Sequence, residues 1–204
     1  MKPIGIFGGT FAPPHNGHVA AADAFLSGCD LERLYIIPTA IPPHKRIGSS
    51  DNPAMRLEMV RLAFCGHPRY RREGGIFLSD YEILRADKSY TVHTLRHFAD
   101  LYASPLIFLC GADMFVTLDH WYRAEEIFRL ASIAYIPRSG IETEDAARRY
   151  VADYGARLIR LEMPPCDVSS TDIRERIHNG EDPGRLVPAG VAAYITQNHL
   201  YAEG

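Results

Sequence analysis

The chain alternates short apolar runs with longer segments in which apolar residues recur at helical spacing. The short runs are rich in β-branched and aromatic residues and are apolar at successive positions. That pattern is typical of strands buried on both faces of a parallel sheet. It predicts strands at Ile4–Phe7, Leu34–Ile37, Ile76–Leu78, Leu106–Cys110, Ile133–Ile136 and Leu158–Leu161.

The longer segments carry the signals that begin and end helices. Asn52 and Pro53 suit a cap and a first helical position, while Gly28 and Gly155 suit helix ends. The predicted helices are His18–Leu26, Ala54–Phe64, Thr91–Tyr102, Trp121–Leu130, Glu144–Tyr154, Thr171–His178 and Pro188–Asn198. This alternation predicts an α/β fold: a Rossmann-like, doubly wound parallel sheet with C-terminal helices, in a single domain over residues 1–204.

Composition narrows the classes of function. Of 204 residues, 47% are hydrophobic and 23% are charged, with a net charge of −3, so no basic surface for nucleic acid is expected. No apolar run approaches the roughly 20 residues that span a bilayer, so no membrane association is expected. The four cysteines lack metal-type spacing, and reduced thiols in a cytoplasmic protein are the simplest account.

The stretch GIFGGTFAPPHNGHV carries the first candidate site. Gly8 and Gly9 end the first strand, where backbone without side chains can approach a ligand, and Thr10 adds a hydroxyl. His15 and His18 lie where the following helix is predicted to begin, and unpaired N–H groups at a helix start favour an anion. Imidazoles can donate hydrogen bonds to phosphate oxygens there. A plain glycine turn with two exposed histidines is the structural alternative.

A second candidate anion site lies in VSSTDIRERI. Ser169 is predicted as a helix cap with Asp172 three residues later, which alone would be a structural arrangement. Ser170 and Thr171 add hydroxyls to the same first turn, and Arg174 can fork a phosphate one turn further on. Two helix starts with such groups suit a triphosphate that reaches both.

Other phosphate and metal sites fit the sequence poorly. Neither GxxxxGK[ST] nor GxGxxG occurs. Zinc needs three or four ligands, and no cysteine or carboxylate lies close in sequence to the two histidines. No protein-held metal site is therefore expected.

These motifs resemble the HxGH nucleotidyltransferase superfamily, and most closely its nicotinate-nucleotide adenylyltransferases. The resemblance extends along essentially the whole chain, through GIFGGTFAPPHNGH, IPTAIPPHK, SYTVHTL, LCGADMF, WYRAEEI, IPRSG and VSSTDIRERI. One position departs from the family pattern GGTFDPxHxGH, since Ala12 stands where the family has aspartate.

The resemblance implies transfer of AMP from ATP to nicotinate mononucleotide, giving deamido-NAD and pyrophosphate in NAD biosynthesis. The mononucleotide phosphate attacks the α-phosphorus in line, so catalysis depends on positioning and charge stabilisation. Mg²⁺ is expected with ATP, held mainly by phosphate oxygens and water. The substrates are the expected partners, and the oligomeric state is left open, a homo-oligomer included.

The resemblance also implies roles for residues in the matching motifs. His18 is assigned to the α/β-phosphate bridge and His15 to the attacking or α-phosphate. Arg174, Ser170 and Thr171 are assigned to the β/γ-phosphates. Three residues keep an alternative: Lys45 as a solvated lysine, Trp121 as core, Arg138 as surface. The expected ATP-binding residues are Gly8, Gly9, Thr10, Phe11, Lys45, Gly111, Asp113, Ser170 and Thr171. The expected acceptor-binding residues are Tyr90, Thr91, Trp121, Tyr122 and Arg138.

Two other functions stay open at this point. A non-catalytic nucleotide-binding sensor is consistent with the loss of the aspartate at Ala12. A related adenylyl- or cytidylyltransferase with a different acceptor is the alternative among enzymes. Formation of pyrophosphate separates the sensor from the enzymes, and exchange of the nucleotide or acceptor separates the enzymes from one another.

Overall fold

A parallel sheet of six strands forms the centre of the molecule. Numbered β1 to β6 along the chain, with the bounds given below, the strands lie in the order β3-β2-β1-β4-β5-β6. The computed structural model describes residues 1–43 and 52–202. Every pairing between neighbouring strands is parallel, so the predicted doubly wound α/β fold is confirmed. The strands are β1 (Ile4–Gly9), β2 (Arg33–Pro38), β3 (Ile76–Leu78), β4 (Leu106–Gly111), β5 (Ala131–Ile136) and β6 (Leu158–Arg160).

The helices cover both faces of this sheet and continue beyond its last strand. Three short elements were not predicted, because each is too short to show a hydrophobic period. They are the helices Tyr81–Arg85 and Ala112–Phe115 and the 3-10 helix Leu118–His120. The helices are α1 (Asn16–Gly28), α2 (Pro53–Phe64), α3 (Tyr81–Arg85), α4 (Thr91–Leu101), α5 (Ala112–Phe115), the 3-10 helix Leu118–His120, α6 (Ala124–Leu130), α7 (Glu144–Tyr154), α8 (Ser170–His178) and α9 (Ala189–Gln197).

Two predicted helix starts were wrong. The helix expected over Trp121–Leu130 begins only at Ala124, because Arg123 has the left-handed backbone φ of 56° and interrupts it. Trp121 and Tyr122 therefore lie in the connection after the 3-10 helix rather than on α6. The first helix begins at Asn16, two residues before the predicted start, with His15 as its cap.

The apolar core is divided by the sheet into two layers, with a third cluster under the C-terminal helices. Ile173 of α8 is fully buried in this third cluster beside Met59 of α2 and Val191 of α9. Burial of a large aliphatic side chain contributes about 1.5–3 kcal/mol, so this packing fixes where α8 begins. Among the described residues no helix combines the length and apolar character needed to cross a bilayer.

The order of the strands reverses between β1 and β4. From β1 the chain proceeds to β2 and β3 on one side, and from β4 to β5 and β6 on the other. Ligands of doubly wound sheets bind in the crevice at the carboxyl ends of such neighbouring strands. Here those ends are Gly9 and Gly111, which lead towards α1 and α5 respectively.

Candidate active site

One cavity of about 1410 Å³ lies at the carboxyl ends of β1, β4 and β5. Every described residue that the sequence singled out for binding or catalysis lines it, and Lys45 lies outside the described residues. Near α1 and α8 these are Gly8, Gly9, Thr10, Phe11, His15, His18, Ser170, Thr171 and Arg174. After β4, at the start of α4, before α6 and after β5 they are Gly111, Asp113, Tyr90, Thr91, Trp121, Tyr122 and Arg138.

The two histidines form the cap of α1 together. The backbone N–H of His15, the cap residue, donates to Nδ1 of His18 at 3.1 Å. Because Nδ1 is an acceptor there, the proton of a neutral His18 ring is on Nε2. The two rings lie 3.7 Å apart between centroids, and the His18 ring also meets the edge of Phe11 at 4.8 Å. Backbone and ring contacts therefore fix both imidazoles before any ligand arrives.

His15 is buried in its uncharged form. Burial lowers its pKa to about 4, with a further contribution from the charge of Arg138 at the end of β5. Its Nδ1 atom is buried and has no hydrogen-bond partner among the described residues. A neutral imidazole with an unused ring nitrogen can accept or donate one hydrogen bond to a ligand without adding a full charge.

Glycine at position 17 makes room for the His15 ring. A Cβ at Gly17 would lie 3.0 Å from Nδ1 and Cε1 of His15 and 3.3 Å from Sγ of Cys166. A Cβ at Gly9 would lie 3.0 Å from the Phe11 ring, so this glycine also has a packing role. Sequence reasoning missed Gly17, although its place between two histidines of one cap was the available signal.

Helix α8 is joined directly to the loop that precedes α1. Arg174 Nη1 donates to the carbonyl of Ala12 at 2.7 Å, and Ser170 Oγ donates to the carbonyl of Pro13 at 2.9 Å. Arg174 Nη2 also donates to Thr171 Oγ1 at 3.2 Å. The Ser170 hydroxyl, expected to face a phosphate, is thus engaged with the loop.

The start of α8 has the predicted cap. Ser169 Oγ accepts from the backbone N–H of Asp172 at 3.1 Å. The first-turn N–H groups of a helix lack partners within the helix, so this end can offer donors to an anion. The two helix starts border one cavity, and α8 bonds the loop before α1 through Arg174 and Ser170, an arrangement that the triphosphate hypothesis requires.

Aromatic side chains line the end of the cavity near α4. Tyr90 caps α4 and its ring lies 4.6 Å from that of Tyr122. Trp121 packs against the core, with its ring 6.2 Å from Phe108 in an edge-to-face arrangement, and it also lines the cavity. The two interpretations of Trp121 are therefore compatible.

Arg56 is a residue that the sequence did not single out. It is fully buried, and its guanidinium donates to the carbonyls of Thr10, Thr39 and Ala40. These carbonyls belong to the segments that follow β1 and β2, so Arg56 joins the phosphate-side loop to its neighbour. In sequence it is one of two arginines of α2, and arginine is a residue type that usually faces solvent.

The fold and this cavity define a protein of the doubly wound α/β class with a ligand site where the strand order reverses. Comparison with known proteins narrows this class. The model of the cytidylyltransferase-like family matches residues 6–176. A Bacillus subtilis nicotinate-nucleotide adenylyltransferase is 35% identical over 98% of this chain and 99% of its own. A Geobacillus kaustophilus protein named "Probable nicotinate-nucleotide adenylyltransferase" is 37% identical over 98% of this chain and 87% of its own.

Solved structures agree on the fold. A Plasmodium falciparum nicotinic acid mononucleotide adenylyltransferase complexed with NaAD superposes with a TM-score of 0.83 at 17% identity, covering 100% of this chain and 99% of that chain. The same enzyme complexed with APC gives a TM-score of 0.81. From its family match and its relatives, the chain belongs to the cytidylyltransferase-like family and, within it, to the nicotinate-nucleotide adenylyltransferases.

Proposed function

We propose that this protein transfers AMP from ATP to nicotinate mononucleotide, releasing pyrophosphate and forming deamido-NAD. One observation carries the proposal. The imidazoles that cap α1 and the guanidinium of α8 border the same cavity, and Arg174 touches the loop that leads to His15. The names of the relatives supply the acceptor, since they act on nicotinate nucleotide.

The phosphate end of the cavity supplies hydrogen-bond donors rather than a general base. His18 is assigned to the bridge between the α- and β-phosphates, where charge develops, through the Nε2 proton that its cap bond fixes. His15 is assigned to the attacking or α-phosphate. Arg174, Thr171 and the first-turn N–H groups of α8 are assigned to the β/γ-phosphates. The acceptor phosphate is already anionic near neutral pH, so no proton needs to be removed from it.

Ser170 takes a different role from the one first assigned to it. Its hydroxyl donates to the Pro13 carbonyl, so it supports the loop before α1 while its backbone faces the cavity with the rest of the first turn. The bond from the Arg174 guanidinium to the Ala12 carbonyl needs only the backbone of residue 12. The loop is therefore held although Ala12 lacks the carboxylate of the family motif, which favours an active enzyme over a sensor.

The acceptor end is assigned to the start of α4 and the connection before α6. Tyr90, Trp121 and Tyr122 offer faces and edges on which a pyridine ring can stack. Thr91 begins α4, and its helix start favours the nicotinate carboxylate. Arg138, which lines the cavity near His15, is assigned to the acceptor phosphate.

The remaining expectations belong to the same proposal. Mg²⁺ is proposed to enter with ATP, held mainly by phosphate oxygens and water, where it neutralises charge on the phosphates. Asp113, in the first turn of α5 and on the cavity wall, would position a ribose or a metal-bound water. All four cysteines, each within the described residues, are free thiols, and this supports the proposed cytoplasmic location. A single domain over residues 1–204 belongs to the same proposal.

Release of pyrophosphate tests this function. The protein is incubated with ATP, Mg²⁺ and nicotinate mononucleotide, and pyrophosphate is measured with and without the acceptor. Acceptor-dependent pyrophosphate is the expected result. ATP binding without pyrophosphate would instead indicate a sensor, and greater turnover with CTP or with a phosphopantetheine acceptor would indicate another transferase.

A further inference from the structure

Glu82, a carboxyl that the mechanism above does not use, lies buried at the acceptor end of the cavity. It belongs to α3, has 6% of its surface exposed, and lines the cavity beside Ser89 and Thr94. Its Oε1 atom accepts a hydrogen bond from Thr94 Oγ1 at 2.5 Å. Its Oε2 atom is buried without a partner among the described residues. A buried carboxyl is costly to maintain without a function, so its contacts indicate what it does.

Ser89 lies beside Glu82 in the cavity wall, directly before the residues assigned to the acceptor. Ser89 Oγ accepts from the backbone N–H of Ala40 at 2.9 Å, and the Ser89 hydroxyl near Glu82 favours the charged form of that carboxyl, which lowers its pKa. The Ser89 backbone N–H donates to the carbonyl of Ile41 at 2.9 Å. Ser89 is thus tied to the segment after β2 by two hydrogen bonds, with Glu82 of α3 beside it in the cavity wall.

The residues that follow Ser89 are those assigned to the acceptor. Tyr90 caps α4 and Thr91 is its first residue, so the direction in which α4 begins depends on how Ser89 is held. Thr94, one turn further, is held by the same carboxyl. Glu82 therefore holds the first turn of α4 through Thr94 and lies beside Ser89, which precedes that turn, and the turn forms one wall of the cavity.

We propose that Glu82 is a positioning residue which, through Ser89 and Thr94, sets the affinity of the site for the acceptor mononucleotide. The proposal rests on the proposed function. Burial raises the pKa of Glu82, although the Thr94 hydroxyl and the charge of Arg85 act in the opposite direction. Glutamine keeps the side-chain carbonyl oxygen that can accept from Thr94, whereas alanine removes it.

Three variants and one control test this assignment. Glu82→Ala removes the carboxyl, Glu82→Gln keeps a side-chain carbonyl of the same shape, and Ser89→Ala removes the bond to the Ala40 N–H. Val191→Ala, in the fully buried cluster under α9, controls for loss of stability remote from the cavity. For each protein the KM for nicotinate mononucleotide, the KM for ATP, kcat and Tm are measured.

The expected result is selective. Loss of one buried hydrogen bond corresponds to about a tenfold change in affinity, so Glu82→Ala and Ser89→Ala should each raise the acceptor KM about tenfold. The KM for ATP and kcat should stay within about twofold of wild type, and Glu82→Gln should restore the acceptor KM to within about threefold.

Two results would overturn the assignment to Glu82. One is an acceptor KM that Glu82→Ala and Ser89→Ala leave unchanged, or move only as far as Val191→Ala does at equal loss of Tm. The other is a Glu82→Gln variant as impaired as Glu82→Ala. A wild-type protein that forms no pyrophosphate with nicotinate mononucleotide overturns the proposed function itself, which separates the two failures.

Discussion

Replacement of Gly17 by alanine tests whether the placement of the His15 ring governs turnover. The new Cβ would lie 3.0 Å from Nδ1 and Cε1 of His15, whereas carbon atoms normally approach to about 3.5–4.0 Å. The Cβ would also meet Cys166 Sγ at 3.3 Å, so a second neighbour is crowded as well. The His15 ring must therefore retreat by about 0.5 Å.

The size of the effect follows from that displacement. A misplacement of about 1 Å in a positioned group costs on the order of 10²-fold in rate, so half that distance predicts about a tenfold fall in kcat. The His18 ring, 3.7 Å from that of His15, shares the displacement. Stability should change little, because the preference of a helix for alanine over glycine, up to about 1 kcal/mol, offsets the cost of moving the ring.

Gly190→Ala is the matched control. Gly190 is the second residue of α9, as Gly17 is of α1, and its Cβ would meet Leu62 at an ordinary 3.5 Å. Both variants are assayed for pyrophosphate release and for Tm. Gly190→Ala should keep wild-type kcat, while Gly17→Ala loses about tenfold with a Tm no more than a few degrees from wild type. Equal kcat values for the two variants would refute the role given to the His15 ring.

Four further predictions concern single groups. His18→Ala should lower kcat by about 10²–10³-fold with the fold intact, as loss of one preorganised donor to a developing charge does, and near-wild-type turnover would remove His18 from the mechanism. Because burial lowers the pKa of His15 to about 4, the unfolded chain binds a proton between about pH 6.5 and pH 4 that the folded chain does not. The free energy of unfolding should therefore fall by up to about 3 kcal/mol as pH falls through this window. It is measured by urea titration at each pH, and a His15→Gln variant with the same dependence on pH as wild type would contradict this. Arg56→Lys cannot reach all the carbonyls that the guanidinium bonds and should lose about 2–4 kcal/mol in free energy of unfolding, whereas a loss under about 1 kcal/mol would be inconsistent with it. Finally, kcat/KM should favour nicotinate mononucleotide over the amide by about tenfold or more, and equal values would break the assignment of the acceptor pocket.

The sheet and the long helices could be predicted from sequence because their signals are local. Buried parallel strands are apolar at successive positions, and Gly155 ends α7 with a left-handed φ of 60° as its type predicts. The interruption before α6 could not be predicted in this way. It depends on Arg123, a non-glycine residue with φ of 56°, which nothing in local propensity favours.

The residues of the candidate site could be predicted from the sequence, whereas most of the hydrogen bonds that join them could not. The histidines of HNGH are three residues apart, which is the spacing of a cap and the third helical position. The hydrogen bond from the His15 N–H to His18 could therefore be predicted from helix-capping rules. The burial of Arg56 could not be predicted from local sequence, because it depends on carbonyls from segments distant along the chain. The bonds from α8 to Ala12 and Pro13 span more than 150 residues and likewise follow from tertiary packing alone.

A crystal structure with a non-hydrolysable ATP analogue and Mg²⁺ tests most directly whether the starts of α1 and α8 hold one polyphosphate. The account predicts a single triphosphate chain, with Nε2 of His18 hydrogen-bonded at the α/β bridge and Arg174 with the first turn of α8 bonded to the β- or γ-phosphate. A triphosphate bound at one helix start and beyond hydrogen-bonding reach of the other would contradict it.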